Sequence, residues 1–207
     1  MRVPAFLAAL VCACLPAVAG AADSADIVDA ARSQVGTTVY YDPGYRKLGF
    51  PGGDVPADRG VCTDVVVRAL RKARAIDLQQ RVNEDMKENW DSYPHQARWQ
   101  QSKPDPNIDH RRVPNLMTYF HRAGQSLPLT RRAVDYLPGD IVAWDLGRGI
   151  LHIGIVSDTR SGTGTPLVVH NIGAGAREED ILFRYTVIGH YRLPPPPPAT
   201  DTPIATR

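Results

Sequence analysis

Two kinds of apolar spacing divide this chain, and their order limits its fold more than any other feature. In the first part apolar residues recur at helical intervals. "SADIVDAARSQVG" reads as a helix with Ser24 as N-cap, Ile27, Val28 and Ala31 on one face, and Gly36 as its stop. "CTDVVVRALRKARAI" turns Val65, Val66, Ala69, Leu70 and Ala73 inward and Arg68, Arg71 and Lys72 outward. "DLQQRVNEDMKENW" gathers Leu78, Val82, Met86 and Trp90, and "VPNLMTYFHRAG" is a short helix with Pro114 near its start and Gly124 at its end. After these come four β-rich runs, "PGDIVAWDL", "ILHIGIVSD", "PLVVHNIG" and "YTVIGHYRL", separated by Gly, Asp and Ser turns. Helices first and strands second predict an α+β domain, with N-terminal helices packed on a C-terminal antiparallel sheet.

The segments between are also informative. "TTVYYDPGYRKLGFPGGDVPADRG" is too rich in turn residues for regular structure, and a loop of that length in a compact domain is usually functional. Its aromatics, Tyr40, Tyr41, Tyr45 and Phe50, suggest an ordered wall beside a groove. "DSYPHQARWQQSKPDPNIDHRR" is polar and broken by proline, hence a loop. "PPPPP", Pro194 to Pro198, cannot continue a sheet and reads as an extended spacer or terminus over 194–207. A length of 207 residues suits one domain, placed at 23–193, and a net charge of +2 with dispersed Lys and Arg argues against a nucleic-acid partner.

The N-terminus, residues 1–21, has the form of a secretory signal peptide. Arg2 supplies the positive end, Ala5 to Leu15 is apolar, and Ala17-Val18-Ala19 or Ala19-Gly20-Ala21 offers a cleavage site. A lipoprotein acylated at Cys14 is the weaker alternative, because apolar residues continue past that cysteine. The expected location is periplasmic or secreted, with no transmembrane segment left after cleavage. Cleavage would remove Cys12 and Cys14 and leave Cys62 as the single thiol in an oxidising compartment. Such a cysteine is either a buried space-filler or a nucleophile.

Position favours the nucleophile. Cys62 falls at a predicted helix N-terminus, where free N–H groups and the macrodipole stabilise an anion and should lower the thiol pKa. Asp64, in the same turn, opposes this unless it caps the helix. His152 interrupts an apolar strand, and His170, followed by Asn171, ends the next one. Neighbouring strands could set these two rings side by side as base and orienter, with Asn171 and His190 as alternatives for the third position. "DHRR" offers His110 to line a cleft, and Arg111 or Arg112 to grip a carboxylate; a solvated basic turn reads the same residues equally well.

Taken together, a helix-start cysteine, "PGD" entering a strand, "HIGIV" and "VVH" in that order resemble the NlpC/P60-type papain-like cysteine peptidases, which are cell-wall hydrolases and amidases. More closely, "GVCTDVVVRALR", "DHRRVPNLMTYF", "LHIGIVSD" and "VVHNIGAGAREEDILF" resemble the DUF1287 family of exported bacterial proteins, over Ala30 to Leu193. The resemblance implies a papain-like α+β fold and a thiol hydrolase of amide bonds, with peptidoglycan stem peptides as substrate. Cys62 would be nucleophile, His152 base and His170 third residue. From the residues themselves, not from the resemblance, Asp64, His110, Arg111, Arg112 and Asn171 are expected to contact substrate. The usual Asp-Cys-Ser-Gly of NlpC/P60 enzymes is replaced by Val61-Cys62-Thr63-Asp64, so their substrate contacts do not carry over.

No cofactor or metal is expected. A zinc site from His110, His152 and His170 is the competing chemistry, weakened by the lack of an HExxH or CxxC pair. An acyl transferase would use the same thiol with a different acceptor. A non-catalytic envelope-binding module is the remaining alternative.

Overall fold

A computed structural model describes residues 19–95 and 99–195. The expected signal segment up to residue 18, and the proline-rich tail from residue 196, lie outside the described residues. Among the described residues, four helices and a five-stranded antiparallel sheet form one mixed α and β architecture. The helices are α1 (Ala19–Arg32), α2 (Cys62–Arg74), α3 (Leu78–Glu88) and α4 (Val113–Arg122). Two short parallel strands, β1 (Tyr40–Tyr41) and β2 (Arg59–Gly60), clip the ends of the first long loop together. The main sheet runs in the order β6-β5-β4-β3-β7 and comprises β3 (Ile141–Asp145), β4 (Leu151–Arg160), β5 (Pro166–His170), β6 (Arg177–Glu179) and β7 (Thr186–Tyr191). No helix among the described residues is long and apolar enough to cross a membrane.

Strand alternation sorts the sheet residues onto two faces. Ile141, Ala143, Ile153, Ile155 and Val169 join the core formed with α1, α2 and α4. Val142, Trp144, Val156 and Val168 face the other way, under Tyr136, Ile181 and Leu182 from loops. Because both faces are covered, the strands carry long apolar runs, and the buried histidines among them, His152, His170 and His190, stand out.

α2 is the central helix. Val65, Val66, Ala69 and Leu70 have no exposed surface, and the chain leaves the helix through Ala75 in the left-handed conformation (φ 51°). Arg68, expected to face solvent, is instead drawn into the first loop. It pairs with Asp54 (2.8 Å) and donates to the carbonyls of Val55 and Arg59, which fastens that loop to the helix. Ser24, expected as an N-cap, lies inside α1, which begins at Ala19. Asp77 caps α3 by accepting from the Gln79 N–H (3.1 Å).

Gly154 shows how tightly β4 and β5 approach. A Cβ there would lie 2.8 Å from Val168 Cγ1, 2.9 Å from the Val169 carbonyl oxygen and 3.0 Å from His170 Cβ. The carbonyl cannot move without breaking the ladder. Gly154→Ala should therefore destabilise the fold by about 1–3 kcal/mol, read as a drop in thermal midpoint, and push His170 away from β4. A midpoint unchanged within error would show that the strands can separate freely here.

Candidate functional site

The candidate site lies where α2 begins, beside the start of β4. Cys62 is the first residue of α2, and Asp64 accepts a hydrogen bond from the Val61 N–H (2.6 Å), so the carboxylate caps the helix end. In β4 the even-numbered residues exchange hydrogen bonds with β3, as the bonds from Leu146 N–H to Ile150 O (2.9 Å) and Val156 N–H to Asp140 O (2.8 Å) indicate. The N–H of Ile153 therefore points to the β5 side. β5 leaves the ladder at His170, and the Ile153 N–H is turned to the sulfur of Cys62, together with the N–H groups of Thr63 and Cys62 itself.

The thiol does not have the lowered pKa that its helix position predicts. Burial pushes it up to about 12, against the opposing N–H of Ile153, and the Asp64 charge adds to the rise. Cys62 is only 4% exposed, and the charge-stabilising end of α2 does not make up for lost hydration. The resting form is a protonated thiol.

His152 and His170 are brought together: His152 Nε2 and His170 Nδ1 are 3.0 Å apart, with the ring planes nearly perpendicular. The bare backbone of Gly154, opposite His170, gives the diagonal contact its space. On its far side His170 Nε2 meets Glu179 Oε2 of β6 at 3.1 Å. Burial, reinforced by His170, lowers the His152 pKa to about 3, so this ring is a neutral base in the resting state. Burial also lowers the His170 pKa, with Glu179 pulling the other way. Among the described residues no hydrogen bond joins Cys62 to His152, which leans on Trp144 across the sheet (ring centroids 5.7 Å apart).

The other expected site residues divide. Arg111 and Asp64 form a buried ion pair (2.9 Å, side chains 2% and 3% exposed), and Arg111 also donates to the carbonyls of Gly44 and Asp42. The expectation that Arg111 and Asp64 hold substrate is corrected accordingly: each already holds the other. His110 is buried and absent from the cleft lining; burial lowers its pKa to about 4, and its Nδ1 has no partner among the described residues. Asn171 is fully buried and donates to the Gly60 carbonyl (3.0 Å), tying the end of β5 to the chain just before Cys62. Its role is positional. His190 is engaged elsewhere, with Asp140 (2.7 Å) and stacked on Tyr136, so it is not the third member of the His152 pair. His110, His152 and His170 do not converge, and no group of three ligating side chains forms a metal shell among the described residues. Of the expected substrate residues, Arg111 and Arg112 both line the cleft; Asp64 meets Arg111 at two nitrogens, whereas Asp109 meets Arg112 at Nη1 alone.

That cleft measures about 460 Å³ and is lined by Tyr41, Pro43, Cys62, Trp99, Arg112 and Leu151 among others. Of the loop aromatics, Tyr41 walls it, whereas Tyr45 turns outward to Asp105. A larger cavity of about 810 Å³, near His121, Ser126 and His190, does not include Cys62. Sequence reasoning missed Glu179, Trp99 and the N–H of Ile153. Arg177, Glu178 and Glu179 are three charged residues in a row with no strand alternation, so the sequence carried no signal for the first.

A family described as "Domain of unknown function (DUF1287)" matches residues 28–193, which include every side chain of this site. The chain belongs to the DUF1287 family. A relative in it, "Uncharacterized protein YijF" of Escherichia coli (strain K12), is 55% identical over 166 residues, covering 80% of each chain. The matched region ends at residue 193, two residues past β7.

Proposed function

We propose that this DUF1287 protein is an exported thiol hydrolase of amide bonds, with an NlpC/P60-like site and peptidoglycan stem peptides as substrate. The observation that carries the reading is the hydrogen-bonded series His152–His170–Glu179, one residue along β4 from the N–H that faces the Cys62 sulfur. In this reading His152 takes the thiol proton as the sulfur attacks the amide carbonyl, then returns it to the leaving amine. A water then cleaves the thioester, with the same imidazole as base. The N–H groups of Cys62 and Ile153 are candidate donors to the tetrahedral oxyanion. A neutral thiol beside a neutral imidazole means that the proton moves during attack rather than before it.

Purified protein should release soluble fragments from peptidoglycan, and Cys62→Ala should abolish the release. Full activity in the alanine variant would end this reading. The burial of Cys62 favours one other reading, a non-catalytic envelope-binding module with a space-filling thiol. Under that reading neither protein releases fragments, while both bind the wall.

The raised thiol pKa also sets a pH dependence. A group titrating near 12 is protonated throughout the neutral range. Its thiolate fraction therefore grows about tenfold per pH unit. Alkylation of native Cys62 by iodoacetamide should be slow at pH 6 and accelerate by that factor toward pH 9, followed by mass spectrometry. A rate that is fast and flat from pH 6 upward would mean that the sulfur is already ionised.

A further inference from the structure

We propose that Arg112, lying on Trp99, is the carboxylate anchor of the cleft, so that the preferred substrate carries a free carboxylate near the amide that is cleaved. This rests on the thiol-hydrolase reading and adds what the site selects.

Two arginines border the cleft, and their circumstances differ. The charge of Arg111 is matched by Asp64, whose carboxylate meets both Nε and Nη2. Arg112 is paired with Asp109 (3.1 Å), but through Nη1 alone. Both of its side-chain hydrogen bonds leave from Nη1, to Gln101 Oε1 (2.5 Å) and Asp109 Oδ1 (3.1 Å). Among the described residues Nε and Nη2 have no acceptor. The Asp109 carboxylate is also shared with Gln101 Nε2 (2.9 Å) and the Asp105 N–H (2.5 Å), so it is not devoted to the arginine.

The electrostatic consequences agree with this geometry. Burial raises the Asp109 pKa despite those donors, and burial lowers that of Arg112 despite Asp109 and Asp105. A cation in that state gains from a further anion. The described cleft lining contains no aspartate or glutamate; around Cys62 and the two arginines it is formed by aromatic and aliphatic side chains and prolines. The guanidinium carbon sits over the Trp99 ring, 4.1 Å from its centroid. A fork held by its face presents its edge N–H groups to a planar carboxylate, the geometry of bidentate recognition. Substrates bearing a cation at this position would meet the Arg112 charge, offset only by the Asp109 contact at Nη1.

The test separates recognition from chemistry by measuring binding to the Cys62→Ala protein. Two short acetylated peptides, Ac-Ala-Glu-Ala-amide and Ac-Ala-Gln-Ala-amide, differ only in carboxylate against carboxamide. Calorimetric titration should show the carboxylate peptide bound about tenfold or more tightly, as a charge-assisted hydrogen bond implies. Arg112→Gln should remove the preference, and Arg112→Lys should keep part of it by retaining the charge without the fork. Thermal unfolding of both variants identifies any that fails to fold, and the lysine variant then carries the test. Equal affinity for the two peptides, including no measurable binding of either, overturns the proposal, as does a preference that survives Arg112→Gln. Failure of the hydrolase reading shows separately, as no wall-fragment release or as release that does not depend on Cys62.

Discussion

Replacing His152 by alanine should lower kcat/KM for peptidoglycan fragment release by a factor of about a hundred to ten thousand, the range that a positioned general base supplies. The direction of the proton series explains why this ring should matter most. Glu179, as a carboxylate, can only accept, so His170 donates Nε2–H to it across 3.1 Å. His170 Nδ1 is then a lone pair and accepts the Nε2–H of His152 across 3.0 Å. That leaves Nδ1 of His152 as its basic atom. Glu179→Gln retains an acceptor but loses the charge that steadies an imidazolium at His152, and should lower kcat/KM by about tenfold. Its side chain is 39% exposed on an edge strand, so the fold should change by no more than about 0.5 kcal/mol.

The pH profile distinguishes a role in proton transfer from a merely structural one. His152 is neutral above about pH 4 because burial holds its pKa near 3. The thiol stays protonated to about 12, so the neutral thiol and imidazole that react together are the dominant forms, and the rate of attack should stay flat across the neutral range without an acid limb near pH 6.5. Glu179→Gln should alter that profile, whereas a residue that only filled space would scale it uniformly. Activity of His152→Ala within tenfold of wild type would remove His152 from the mechanism.

Much of this site could be read from the residues, because each unusual feature breaks a strong local pattern. A histidine inside "ILHIGIVSD" and another closing "PLVVH" are conspicuous in apolar strands, and antiparallel pairing makes their meeting plausible before any coordinates. The four main strands and the three helices from α2 onward follow from periodicity alone, since each buries a wide apolar face. What the sequence hides is how charges choose among partners. Arg111 and Arg112 are adjacent, chemically alike and both in the cleft lining, yet one is held at two nitrogens by Asp64 and the other meets Asp109 at one. That choice depends on the loop Asp42–Gly44 closing over Arg111, a long-range contact with no local signature. The thiol pKa departs from the helix-position expectation for a related reason. Helix position is local, but desolvation comes from everything packed around Cys62.

Removing one side of the Asp64–Arg111 pair should destabilise the protein by about 3–5 kcal/mol, because it leaves the other charge buried and uncompensated. This is a large share of the stability of an ordinary domain, about 5–15 kcal/mol. The pair connects three parts of the chain: the start of α2, the loop that carries Tyr41 and Pro43, and the turn before α4. Arg111→Met should lose the loop contacts as well as the charge balance, and so should exceed Asp64→Asn, which keeps an oxygen for the Val61 N–H. The double variant Asp64→Asn/Arg111→Met should cost less than the sum of the two, since it buries no lone charge. Urea denaturation of the four proteins reads all of this from shifts in midpoint at constant slope. Additive effects, or single losses below about 1 kcal/mol, would mean that water reaches the pair and that it does not hold the cleft wall. If the coupling is found, the loop bearing Tyr41 stays in place beside Cys62 only while this ion pair is intact. Stability and substrate access would then depend on the same two side chains.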